Sequence, residues 1–231
     1  MSKPVCIITG AGRGIGRATA IELSTRGFDC VLVSRSRDQL DSVARELKTD
    51  SSVQECDVTD AEAVARVIDE AIKRFGRLDA IVNNAGLAPM KSIQETDVAT
   101  WRAVIETNLS STFYFAKSAW KELKSSRGAI VNIGSEASRD PFPGFLAYAT
   151  AKAGLNMLTQ ALHREGKPDG IRAYCVAPAA VETAMLRALF AENQYGKEKT
   201  LDPADVARTV AACIAGDLGF ASGETIYLHR T

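Results

Sequence analysis

The sequence has no excess charge of either sign: 28 Lys and Arg are matched by 28 Asp and Glu over 231 residues. That balance excludes roles resting on a bulk basic or acidic surface, such as nucleic-acid or membrane-surface binding. No apolar run approaches the ~20 residues a membrane span needs. The opening, MSKPVCIITG, has no basic leader before a long apolar stretch, so no signal peptide and a cytoplasmic location are expected. Histidine is scarce, and His163 and His229 stand far apart. Cys6, Cys30, Cys56, Cys175 and Cys213 form no Cys-x-x-Cys pair. Neither a metal site nor a disulfide framework is therefore expected, and buried reduced thiols are. The Gly-x-Ser-x-Gly elbow of a Ser-His-Asp hydrolase is also missing. No repeat, charge block or low-complexity linker divides the chain, so residues 1–231 are expected to form one domain.

What the chain does have is alternation. Short apolar runs at Val5–Thr9, Cys30–Ser34, Val53–Cys56, Ala80–Asn84, Ala129–Ile133, Arg172–Ala177 and Glu224–Leu228 read as strands. Between them, helices are expected over 14–26, 38–47, 60–75 (with Asp60 as cap), 97–123, 147–165, 183–191 and 203–215. The strands are continuously apolar rather than alternating, as in a parallel sheet covered on both faces. The expected fold class is therefore α/β: a Rossmann-type, doubly wound parallel sheet of about seven strands with helices on both faces. Such sheets bind ligands beyond the carboxyl ends of their strands.

After the first strand comes TGAGRGIGRA, Thr9–Ala18. Gly10, Arg13, Gly14, Ile15 and Gly16 make a turn that lets backbone approach a pyrophosphate at a helix N-terminus. The strict Gly-x-Gly-x-x-Gly pattern fails because position 15 is Ile; the motif reads Thr-Gly-x-x-x-Gly-x-Gly. The second strand ends in Ser34-Arg35-Ser36-Arg37, with no acid to take a ribose 2′-hydroxyl. Arg35, with Arg13, suits a 2′-phosphate instead, which favours NADP(H) over NAD(H). Asp57, followed by Val58, is placed to accept from an adenine amino group. Asn84, Ala85 and Gly86 follow the fourth strand, where a ligand can approach closely.

Tyr148 and Lys152 are four residues apart and share a helix face. A free phenol has a pKa near ~10, and a neighbouring cation lowers it. Lys152 is thus expected to activate Tyr148 as a proton donor and acceptor for an alcohol oxygen. Ser135, after the fifth strand, can hydrogen-bond the same oxygen. Asn108 lies within the helix expected at 97–123, where Asn is unfavourable. Two readings stand: a helix distortion that frees a carbonyl for a water near Lys152, or a tolerated polar residue.

The glycine turn, Asp57, Asn83-Asn84-Ala85-Gly86, Asn108, Ser135 and Tyr-x-x-x-Lys occur in the order seen in the short-chain dehydrogenases/reductases, and the chain resembles that family over nearly its whole length. The resemblance implies NAD(P)-dependent interconversion of a carbonyl and an alcohol. In it Tyr148 is the acid/base, Lys152 tunes the phenol and holds the nicotinamide ribose, Ser135 orients substrate, and Asn108 sustains a water relay. Pro178, Val181 and Thr183 would touch the nicotinamide carboxamide. A homotetramer or homodimer built on the helices at 97–123 and 147–165 is also implied. The overall pattern is most similar to 3-oxoacyl-(acyl-carrier-protein) reductase-type members, so a small-molecule carbonyl, carrier-bound acyl thioesters included, is the expected partner.

The chain departs from the family pattern at three places. Tyr174 and Ala179 replace an Asn and a Gly after the sixth strand, a change that matters if the backbone there needs positive φ. The substrate-covering segment, about 184–200, is short, which suggests an open site. The C-terminus, GETIYLHRT, lacks a glycine-rich tail. Phe142, Phe145, Leu87, Pro89 and Met90 would make the pocket apolar. The alternative to an enzyme is a non-catalytic NADP(H)-binding regulator on the same fold; absence of Tyr148, Lys152 or Ser135 would favour it, and all three are present.

Overall fold

In the computed structural model, which describes residues 2–230, seven strands form one parallel sheet. They are β1 (Val5–Thr9), β2 (Asp29–Ser34), β3 (Ser51–Glu55), β4 (Ala80–Asn83), β5 (Ala129–Ile133), β6 (Arg172–Pro178) and β7 (Thr225–Leu228). Their order is β3-β2-β1-β4-β5-β6-β7. The chain winds outward in both directions from the β1–β4 pair, so the carboxyl ends of those two strands mark the switch point. The helices are α1 (Gly14–Thr25), α2 (Arg37–Ala44), α3 (Ala61–Phe75), α4 (Val98–Ile105), α5 (Ser111–Ser126), α6 (Leu146–Gly166), α7 (Ala184–Leu189) and α8 (Pro203–Ala215).

Successive residues of a strand point to opposite faces, and β1 shows the result. Cys6 and Ile8 join a core with Leu23 of α1, Leu40 of α2 and Val206 and Val210 of α8. Val5 and Ile7 join a second core with Val64 and Ile68 of α3 and Phe115 and Leu123 of α5. Full burial of each such side chain contributes about 1.5–3 kcal/mol, so the two cores hold the sheet rigid beneath its loops. All five cysteines are free and buried. Asp60 caps α3 as expected, accepting from the backbone N–H groups of Glu62 at 2.9 Å and Ala63 at 3.0 Å.

The one expected helix over 97–123 is three pieces. α4 gives way to a π-helical turn, Glu106–Ser110, before α5 begins. Asn108 sits in that turn, 2 % exposed. Its Nδ2 donates to the carbonyl of Val104 at 3.0 Å and to that of Leu87 at 2.9 Å. A side chain that binds the preceding turn's carbonyl competes with the backbone ladder, and π-bulges arise where that ladder is disturbed.

Candidate active site

The loops at the carboxyl ends of the strands enclose one cavity of about 640 Å³. Gly10, Arg13, Gly14 and Ile15 border it from the β1–α1 turn, Arg35 from the end of β2, and Asp57 and Val58 from beyond β3. Asn84, Ala85, Gly86, Asn108, Ser135, Tyr148 and Lys152 border its middle, with Pro178, Val181 and Thr183 on the far wall. Of the expected pocket residues, Leu87, Phe142 and Phe145 border the cavity but Pro89 and Met90 do not; of the expected cofactor and catalytic residues, Gly16 alone does not reach it. It lies beneath the turn, where a Cβ would fall on the Gly10 carbonyl. Its smallness serves the close packing of helix on turn rather than contact with a ligand.

The nucleotide end has the features of an anion cradle. Gly10 has φ +62°, a left-handed conformation, and a Cβ there would stand 2.8 Å from Asn84 Nδ2. Arg13 is the N-cap of α1 but makes no side-chain cap, and no acid stands in the first turn. The first N–H groups of that helix therefore open toward the cavity without a side-chain acceptor. Ser36 likewise leaves the start of α2 uncapped, although Asp38 stands in its first turn. Arg13 and Arg35 are exposed, and neither has an ion-pair partner among the described residues. Asp57 is held ionised below the usual carboxylate range, chiefly by hydrogen bonds from the backbone N–H and hydroxyl of Thr59, with Arg35 adding to the effect. Gln39 also borders this end. Its place on α2 gave no motif by which to find it.

Asn84 ties the switch point together. Its Nδ2 donates to the carbonyls of Thr9 at 2.9 Å and Gly10 at 3.2 Å, and its backbone N–H donates to Thr9 Oγ1 at 2.9 Å. Its amide thus holds the turn in shape.

At the chemical end β5 and α6 bring Ser135, Tyr148 and Lys152 together. Ser135 follows β5 and caps a short 3₁₀ turn, Glu136–Ser138, accepting from the Ala137 N–H at 3.2 Å. Lys152 is 4 % exposed, and its Nζ donates to the Ile133 carbonyl at 2.7 Å while standing 5.6 Å from the centre of the Tyr148 ring. Burial pulls the ammonium from its ordinary 10.5 down to about 8. The expected tuning of Tyr148 needs correction. Burial pushes the phenol up, and a hydrogen bond from the Ser135 hydroxyl opposes that effect. Desolvation disfavours phenolate more strongly than the surroundings favour it, so Tyr148 is protonated at neutral pH.

The departures noted in the sequence also find places. Tyr174 stands on β6 itself and is fully buried in the core. Arg127 is the only non-glycine residue with positive φ among the described residues, so Ala179 occupies ordinary backbone and the loss of Gly there introduces no strain. The covering segment contains only the six-residue α7 and a 3₁₀ turn at Lys197–Lys199. It nevertheless walls the cavity with Met185, Leu186, Leu189, Phe190 and Tyr195, none of which stands in a recognisable motif. The site is less open than the segment's brevity suggests.

Comparison with known proteins matches residues 4–194 to the short chain dehydrogenase family. An uncharacterized oxidoreductase of Staphylococcus aureus strain N315 is 33 % identical over 212 residues, covering 91 % of this chain and 90 % of the relative. A dehydrogenase/reductase of Sinorhizobium meliloti 1021 superposes with a TM-score of 0.88 at 29 % identity, over 99 % of this chain and 94 % of that one. A 3-ketoacyl-(acyl-carrier-protein) reductase of Brucella melitensis, solved with NADH, shares the fold at a TM-score of 0.92 over 98 % and 96 % of the chains, with 23 % identity. The chain belongs to the short chain dehydrogenase family and is an oxidoreductase.

Proposed function

We propose that the protein interconverts a carbonyl and a secondary alcohol using NADP(H), with Tyr148 as the proton donor and acceptor, on neutral apolar substrates. The observation that carries this reading is the convergence of Ser135, Tyr148 and Lys152 on the same cavity as the uncapped start of α1 and the unpaired Arg13 and Arg35. The glycine turn and α1 would hold the pyrophosphate, Arg13 and Arg35 the 2′-phosphate, and Asp57 the adenine edge. Asn84 to Gly86, Pro178, Val181 and Thr183 would flank the nicotinamide half, with Lys152 near its ribose. When bound, the nicotinamide supplies or accepts the hydride.

The chain's own residues do the rest. Tyr148, protonated at neutral pH, gives its proton to the oxygen on which negative charge grows. Ser135 donates a hydrogen bond to that oxygen. Lys152, charged below about 8, favours the phenolate left behind. Asn108, in its π-helical turn, would support the return of a proton through water. The substrate end carries Phe142, Phe145, Leu186 and Phe190, and its one carboxylate, Glu136, is paired with Arg139 at 2.9 Å. Alicyclic, aromatic and fatty carbonyls, 3-oxoacyl thioesters among them, fit such walls. Phe113 on α5 and Met157 on α6, 47 % and 64 % exposed, are the apolar residues a homo-oligomer would cover.

The test is NADPH oxidation, followed by absorbance, against a panel of ketones and acyl thioesters in their free and carrier-bound forms. Tyr148→Phe is expected to lose at least about 10²-fold in turnover while binding NADPH normally. Reduction should weaken and alcohol oxidation strengthen as pH rises, because a raised phenol pKa keeps the acid form through neutral pH. A protein that binds NADPH yet turns over nothing in the panel would instead be the regulator.

A further inference from the structure

The chain from Val181 to Leu201 closes on itself beside the cavity. The N–H of Glu182 donates to the Leu201 carbonyl and that of Leu201 to the Ala180 carbonyl, each at 2.9 Å. What leaves and returns at this point is the covering segment. Its one helix, α7, is too short to be stable by its own hydrogen bonds.

Arg187 supplies the missing restraint. Its Nε and Nη2 donate to the two carboxylate oxygens of Glu182, at 2.7 and 2.5 Å. The other edge of the guanidinium faces the far side of the loop, where Nη1 donates to the Tyr195 carbonyl at 2.7 Å. Thr200 Oγ1 adds a donor to Glu182 at 3.3 Å. The Arg187 and Glu182 side chains are 23 % and 26 % exposed, so the pair is shielded from solvent far more than an ordinary surface bridge. Phe190 and Tyr195 lie within the span the guanidinium ties down, and their rings pack against each other, tilted by 43° with centres 6.2 Å apart. Both border the cavity with Leu186 and Leu189; Arg187 stands behind them.

We propose that Arg187, clamped by Glu182, is the positioning residue that sets the Phe190–Tyr195 wall and thereby decides how large a carbonyl substrate the pocket accepts. The proposal rests on the carbonyl–alcohol reading above. Only a planar fork reaches a carboxylate and a carbonyl on opposite sides at once, so Lys cannot replace it fully. Because Arg187 does not touch the reacting atoms, its removal should act on binding rather than on the chemical step.

The experiment compares a small aliphatic ketone with a bulky bicyclic one in wild type, Arg187→Met, Arg187→Lys and Glu182→Gln. In Arg187→Met, KM for the bulky ketone should rise about tenfold, as expected for lost charge-assisted hydrogen bonds. Its kcat, its NADPH affinity and the KM of the small ketone should stay within about twofold. Arg187→Lys should recover part of the loss. Chymotrypsin, which cuts after Phe190 and Tyr195, should cleave Arg187→Met faster than wild type under native conditions. Glu182→Gln, nearly isosteric, carries the test should Arg187→Met not fold. An unchanged KM, an equal loss on both ketones, or a loss traced to NADPH affinity would overturn the clamp. Should wild type bind NADPH and reduce no ketone, the catalytic reading fails by itself. The proteolysis comparison then decides the clamp, and unchanged cleavage would refute it.

Discussion

Lys152 shows how a single residue can set function against stability. Its ammonium is buried with one protein acceptor, the Ile133 carbonyl. Desolvation pulls its pKa from 10.5 to about 8. Between those values the unfolded chain binds more protons than the folded one, so this group makes stability rise with pH there. Below about 8 both states are charged and the folded state bears the full penalty, roughly 3 kcal/mol from that shift. Lys152→Met removes the penalty but leaves the Ile133 carbonyl without its donor, which costs about 1–2 kcal/mol. The variant should therefore be inactive yet melt a few degrees higher than wild type at pH 7, with the gain gone near pH 10.5. Thermal denaturation at the two pH values checks the sign. A variant that melts lower at pH 7 would mean that the hydrogen bond to Ile133 outweighs desolvation.

At the scale of elements, the π-helical turn between α4 and α5 is the feature that places Asn108. Its amide joins the Leu87 loop to the Val104 carbonyl, and its Oδ1 lies buried with no protein partner, 2.7 Å from where a Cβ on Gly86 would stand. Asn108→Ala removes the donor to the buried Val104 carbonyl and the half-buried Leu87 carbonyl and should cost about 2 kcal/mol. Urea denaturation should show this as a lower midpoint at unchanged slope. Sequence periodicity made the helix visible but not its division, because apolar spacing on either side of the turn still fits one helix. The five inner strands were legible because each is an apolar run buried on both faces; the edge strands β3, Ser-Ser-Val-Gln-Glu, and β7 are only partly buried, and strand ends moved by a residue or two. Ser135, Tyr148 and Lys152 were legible because their spacing follows from a strand end and a helix face. The direction of the Tyr148 shift was not, because it depends on how deeply the surrounding protein buries the phenol. Nor was the Arg187 clamp: its partners are Glu182 and the Tyr195 carbonyl, at separations that match neither helix nor strand periodicity.

For the whole molecule, the switch point between β1 and β4 gathers loops from both halves of the sheet around one cavity, so cofactor binding should be felt as global stability. A ligand at about 100 times its Kd adds about 2.7 kcal/mol to the folded state. For a chain of this size that raises Tm by roughly 5–10 °C. If Arg13 and Arg35 take a 2′-phosphate, NADPH must shift Tm more than NADH at equal concentration, since NADH leaves both guanidinium groups without that partner. Arg35→Asp should invert the order. The carboxylate repels a 2′-phosphate and can accept from a ribose hydroxyl, and the lost charge-assisted contact is worth about 1.5–3 kcal/mol, or tenfold and more in NADPH affinity. Melting curves of wild type and variant with each nucleotide measure both effects in the same experiment, without a substrate. Equal shifts from the two nucleotides in wild type would remove the phosphate role from Arg35. The glycine turn, the start of α1 and Asp57 would then remain as a cradle that does not distinguish NADP(H) from NAD(H).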